Sequence, residues 1–110
     1  MSRTDKELVL DALDHIQILK SHLTRSDLEQ VIIADAVNMR LSAAIESLTQ
    51  TSPEFRAQYF AEEWKLMKAT RNRISHGYSF VDQSIIQQTV VNRLPGLEQQ
   101  LRTALVELST

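Results

Sequence analysis

Cysteine is absent from all 110 residues. Neither a disulfide nor a thiolate metal site can brace the fold. This excludes the disulfide-rich secreted class, a zinc ribbon and a cysteine nucleophile, and it suits a reducing cytosol. Glycine and proline occur only twice each. So little turn material disfavours an all-β fold, whose hairpins need both residues, and makes an all-α bundle the default. No apolar run exceeds a few residues, far short of the roughly 20 that a spanning helix requires. The leading Met1-Ser2-Arg3-Thr4-Asp5 has no apolar signal core. These absences predict a cytoplasmic protein with no membrane segment.

What is present is ordinary for a folded soluble domain, with 43% hydrophobic and 24% charged residues. A chain of this length reads as one domain over residues 1–110. It should bury roughly 60 to 65% of its unfolded surface, enough for one modest core. The net charge of -2 argues against a generic basic nucleic-acid coat. Yet Lys65 to Val81 contains no acidic residue and holds Lys65, Lys68, Arg71, Arg73 and His76, so this window carries +4 and the remainder -6. That window is the one plausible seat for anion binding.

Helix boundaries are marked by cap chemistry. Thr4 with Glu7, and Ser26 with Glu29, read as capping boxes, each a hydroxyl and a carboxylate that satisfy backbone N–H groups at a helix start. Leu8 or Val9, with Ala12, Leu13, Ile16, Leu19 and Leu23, gives the first helix an apolar stripe. A second helix, about Asp27 to Leu48, is carried by Leu28, Val31, Ile32, Val37, Leu41, Ala44, Ile45 and Leu48. Ser52-Pro53-Glu54 opens a short helix through Phe60. A further helix, about Glu62 to Ser75, ends near Gly77. Asp82 caps a helix running to Asn92, and Leu94-Pro95-Gly96 interrupts the chain before a last helix to about Leu108. The expected architecture is a single-domain bundle of four to five main helices, the long ones antiparallel, with a short additional helix. No internal repeat or linker is visible.

The dense polar constellation is Arg71-Asn72-Arg73-Ile74-Ser75-His76-Gly77-Tyr78. Trp64, Met67, Ile74 and Tyr78 form an apolar stripe that Arg71 interrupts. A guanidinium there needs a carboxylate, a phosphate or a wet cleft, and Glu46 or Asp35 could supply the carboxylate. Arg71 and His76 lie five residues apart, about 140° around a helix, so they converge only at a helix end or at a groove between elements or subunits. A histidine at this position also serves as a C-cap. Tyr78 and Trp64 read most simply as core aromatics, Met39 and Met67 as gap-fillers, and His15 and His22 as solvated. No metal site is expected.

The run RNRISHGY, an Arg-x4-His-x-Tyr pattern, resembles the signature of the HEPN superfamily, and specifically of HepT-like toxins of bacterial HEPN/MNT toxin–antitoxin systems. The resemblance extends to Asp35-Ala36-Val37, Leu41 and Glu46 before the motif, and to Val81-Asp82, Thr89-Val90 and Leu94-Pro95 after it. It covers roughly residues 5 to 108. The family often has an aliphatic residue where Ser75 stands, an aromatic where Ser79 stands and a glycine where Ile45 stands.

The resemblance implies a HEPN-like helical fold and a metal-independent endoribonuclease, a toxin built as a homodimer with two motifs facing one groove. His76 would act as base toward the RNA 2′-OH, Arg71 would bind the charged phosphorane and Asn72 would orient the group, with Lys65, Lys68 and Arg73 holding RNA. No cofactor is implied for cleavage. The resemblance also implies a nucleotidyltransferase antitoxin of the MNT type that places AMP on Tyr78 using ATP and Mg²⁺. Two other classes compete. One is a noncatalytic helical subunit that binds nucleotide or partner within a two-protein nucleotidyltransferase. The other is a plain helical interaction module in which Arg71 merely pairs with Glu46.

Overall fold

The structure, a computed structural model, describes residues 3–25, 31–76 and 83–109. Five helices follow in order: α1 (Asp5–Arg25), α2 (Val31–Thr49), α3 (Pro53–His76), α4 (Gln83–Asn92) and α5 (Leu94–Leu108). No strand occurs among the described residues. The chain is an all-α bundle, as the scarcity of glycine and proline requires.

The α1 start is the capping box expected from the sequence. The Thr4 hydroxyl accepts from the Glu7 N–H at 3.1 Å, and a Glu7 carboxylate oxygen accepts from the Thr4 N–H at 3.3 Å. The box at Ser26 and Glu29, the Gly77 helix end and the Asp82 cap lie outside the described residues. At the α3 start, Ser52 Oγ accepts from the Phe55 N–H at 3.2 Å. Asp5 accepts from both the Ser52 N–H and its hydroxyl, at 3.0 and 3.1 Å. The first turn of α1 thereby fixes the corner between α2 and α3. Arg56 closes the same corner by donating to the carbonyls of Thr49 and Thr51, which the end of α2 leaves without helical partners.

The short helix and the longer one expected to follow it merge into a single α3 that changes direction at Phe60, where φ is -154° and ψ is 42°. Phe60 is buried at this bend, edge-on to Phe55 at 5.8 Å and to Trp64 at 6.2 Å. Trp64 is half-buried with the Arg56 guanidinium 5.0 Å above its ring, so it caps the core edge rather than filling the interior. Between α4 and α5 only Arg93 leaves the helix, and Pro95 stands in the first turn of α5, where its missing N–H is harmless.

The most extensive contact joins α1 to α2, and α5 packs across α1, α3 and α4. Val9, Ile16, Leu19, Leu41, Ile45, Leu48, Met67 and Leu101 are fully buried in the core they share. Ile45, where the family often has glycine, fills interior space. Three expectations are corrected here. Val31 and Ile32 are 73% and 80% exposed, because the buried face of α2, carried by Ala34, Val37, Leu41 and Leu48, lies roughly opposite Ile32 and about a quarter-turn from Val31. Met39 is 71% exposed rather than a gap-filler. His15 is part-buried: Arg40 Nη1 lies 3.0 Å from its Nδ1, and its Nε2 lies 3.5 Å from an Asp11 oxygen. Arginine only donates, so Nδ1 accepts and Nε2 carries the proton toward Asp11. The Ser47 hydroxyl also donates to Asp11. That hydrogen bond holds the Asp11 carboxyl below its ordinary range, with His15 and Arg3 adding to the effect and partial burial opposing it.

Candidate active site

The described part of the basic window, Lys65 to His76, forms the last turns of α3 and its exposed face. At about 100° per residue, the side chains fan out in the order Arg71, Lys68, Asn72, Lys65, His76, Arg73, with the two arginines about 200° apart at the edges. Lys65, Lys68, Asn72, Arg73 and His76 are all exposed, while Met67 and Ile74 on the opposite face are buried. A polar arc on an otherwise packed helix needs no neighbour to solvate it. His76 is the last residue of α3 and open to solvent.

Arg71 points toward α2. Its Nη2 donates to Glu46 Oε2, and its Nη1 donates to Asn72 Oδ1 at 3.3 Å. Of the two carboxylates considered for it, Glu46 is the partner the fold delivers. The Arg71 and Glu46 side chains are 29% and 48% exposed, so the guanidinium sits at a wet rim and keeps donors available to a further acceptor. Asn72, by accepting from Arg71, ties the two motif residues into one unit. The packing-module reading required an Arg71–Glu46 contact, and that contact is present. Its exposure decides how much weight it carries.

Tyr78 lies outside the described residues, as do Gly77 and Val81-Asp82. Among the described residues, no group of three or more His, Asp or Glu is placed to hold a metal ion. Among the described residues no helix is long and apolar enough to cross a membrane.

A family model described as Ribonuclease HepT-like matches residues 9–104, from the first turns of α1 into the last turns of α5. The chain belongs to the HepT-like ribonuclease family. No curated protein and no solved structure matches it. The HepT-like match takes in the whole polar arc of α3 together with Glu46. Family membership therefore rests on the complete bundle and agrees with the HEPN resemblance of the motif.

Sequence reasoning missed two groups. The Asp11–His15–Arg40–Ser47 cluster escaped because its members are scattered over two helices and meet only through packing. Arg93 escaped because it stands at a helix junction away from the motif. A periodic signal did exist near it: Ile85, Gln88, Thr89 and Asn92 recur at steps of three and four on one face of α4.

Proposed function

We propose that this HepT-like chain is a toxin endoribonuclease that cleaves RNA without a metal, through Arg71, Asn72 and His76. The observation that carries this reading is the family match spanning an exposed Arg71–His76 helix end fringed by Lys65, Lys68 and Arg73. The imidazole of His76 takes the proton from an RNA 2′-OH, the general-base role that histidine fills most often. The 2′-oxygen bonds to the adjacent phosphorus, the bond to the 5′-oxygen breaks, and a 2′,3′-cyclic phosphate and a 5′-OH result. Arg71 binds the nonbridging oxygens as their charge builds, and Asn72 keeps the guanidinium aligned.

The leaving 5′-oxygen needs a proton, and one histidine cannot readily serve as base and acid in the same step. A second copy related by two-fold symmetry would supply another His76. Ile32, Met39 and Glu46 recur at sevens along one face of α2, with Ile32 and Met39 largely exposed. An apolar strip leading to the Glu46–Arg71 rim suits a homodimer whose sites share one groove.

In the same reading, a nucleotidyltransferase antitoxin uses ATP and Mg²⁺ to attach AMP to Tyr78. The added phosphodiester would stand two residues from His76 and compete with the RNA phosphate for the same cations.

The test is expression of the chain alone beside His76→Ala, scoring growth arrest and RNA integrity, with cleavage by purified protein repeated in EDTA. Toxicity and cleavage that require His76 and survive chelation are expected. Full activity in His76→Ala, or its loss on chelation, refutes the mechanism. Coexpression with the nucleotidyltransferase should add an adenylyl mass to Tyr78, absent in Tyr78→Phe; a neutralised complex with unmodified Tyr78 refutes the modification.

A further inference from the structure

A second cationic feature lies on the far side of α3 from Arg71. Helices α3 and α4 barely touch, because α5 packs against each of them and holds them apart. The gap is a groove of about 340 Å³. Leu66 and Arg73 enter it from α3, Ile85, Gln88 and Asn92 from α4, and Arg93 from the α4–α5 junction. Leu66 and Arg73 are two helical turns apart, so the α3 wall is about 10 Å long.

Its chemistry is one-sided. No carboxylate lines the groove, and among the described residues neither Arg73 nor Arg93 has an ion-pair partner. Two guanidiniums opening on one cleft without a counter-charge repel each other unless an anion enters. Leu66 and Ile85 remain 44% and 38% exposed and offer an apolar surface between them. Gln88 and Asn92, four residues apart on one face of α4, bring amides that both donate and accept. The Thr70 and Thr89 hydroxyls donate to their own helix, at 2.9 and 3.0 Å, so the amides and guanidiniums are the groove's donors toward a ligand. Phosphate-binding cations, an apolar patch for the flat face of a base and amides for its edge together match a nucleoside phosphate. The volume lies at the small end of ligand sites, which suits one such unit.

Position supplies the link to the active site. On the α3 arc, His76 lies between Arg71 and Arg73, about 60° from the latter. For a strand whose reacting phosphate lies at Arg71 and His76, Arg73 is the next cation around the arc of α3.

We infer that the α3–α4 groove is a nucleotide subsite of this protein, holding the RNA unit next to the cleaved bond, with its phosphate on Arg73 and Arg93 and its base edge on Gln88 and Asn92. The inference rests on the ribonuclease reading for its choice of an RNA strand over a free nucleotide, which shares the same chemistry.

The experiment uses the full chain with a short 2′-O-methylated RNA oligonucleotide, which cannot be cleaved, and with AMP. Binding is followed by fluorescence anisotropy and calorimetry for the native protein, Arg73→Gln and Arg93→Gln, and cleavage of unmodified RNA is scored in parallel. Each substitution should weaken oligonucleotide binding about tenfold and lower its salt slope by about one. Helical circular dichroism should not change, since both side chains are exposed. AMP alone should not saturate. Saturable AMP binding lost in both variants, with oligonucleotide affinity intact, overturns the strand assignment in favour of a free nucleotide. Unchanged affinity for both ligands overturns the groove, and cleavage by the native chain then leaves the ribonuclease reading standing. Arginine-dependent oligonucleotide binding without any cleavage keeps the groove and overturns the ribonuclease reading.

Discussion

Replacing Arg71 by alanine separates a structural brace from a catalytic group, because the two roles predict opposite outcomes in stability and activity. The Arg71 and Glu46 side chains are 29% and 48% exposed. Water screens a pair at such a rim, and ion pairs of this kind contribute about 0.2–1 kcal/mol. A desolvated pair would behave differently, since removing one partner from the interior costs about 3–5 kcal/mol. The exposure places Arg71 in the first class. Arg71→Ala should therefore lower Tm by only a few degrees, given about 4–8 °C per kcal/mol for a domain slightly smaller than this one.

By contrast, Leu41→Ala in the buried face of α2 should cost about 2–5 kcal/mol. The assay is thermal denaturation by circular dichroism of Arg71→Ala, Glu46→Ala and the double variant, with RNA cleavage measured on the same samples. The coupling energy from that cycle should stay below about 1 kcal/mol. Cleavage by Arg71→Ala should fall by about 100-fold or more, the usual scale for losing a donor to transition-state charge. Glu46→Ala, which leaves the guanidinium in place, should retain more. If Arg71→Ala unfolds or loses 3 kcal/mol or more (roughly, on the buried-pair scale), Arg71 is a brace. Native cleavage rates in Arg71→Ala would remove it from the mechanism.

Asp11 makes stability depend on acid. Its folded pKa lies below the ordinary value, so the stability it contributes is present above the unfolded pKa of about 3.9 and is lost as pH falls through the folded one. The urea midpoint of the native chain should drop more steeply between about pH 5 and pH 3 than that of Asp11→Asn, and parallel curves would show that the Ser47 hydrogen bond carries no such linkage. At Gly96, in the first turn of α5, a Cβ would meet nothing within 4 Å and φ is not positive. Gly96→Ala should therefore raise stability by about 0.4–1 kcal/mol through the unfolded chain, and a fall in Tm would refute that account.

The all-α class and the helix starts at Thr4 and Ser52 were legible because they depend on local chemistry, whereas the continuity of α3 through Phe60 was not. The Thr4–Glu7 box and the Ser52 cap are contacts within one turn, and their partners are neighbours in sequence. The Arg71-x4-His76 run was legible for the same reason, as its six residues are contiguous. Periodicity failed where a residue's fate depends on what stands opposite. Ile32 and Met39 carry the hydrophobicity of core positions, yet among the described residues no element covers that side of α2.

By itself, the sequence determined which segments are helical, which helix end is cationic and which family the motif resembles, since each follows from residues at most a few turns apart. Only the tertiary structure decided that Glu46 rather than Asp35 meets Arg71, that His15 is drawn between Asp11 and Arg40, and that Arg73 faces Arg93 across a groove. The Glu46–Arg71, His15–Arg40 and Arg73–Arg93 pairings join residues 20 or more positions apart. They are set by how α5 spaces α3 from α4 and how α2 lies along α1, and no local preference encodes that spacing.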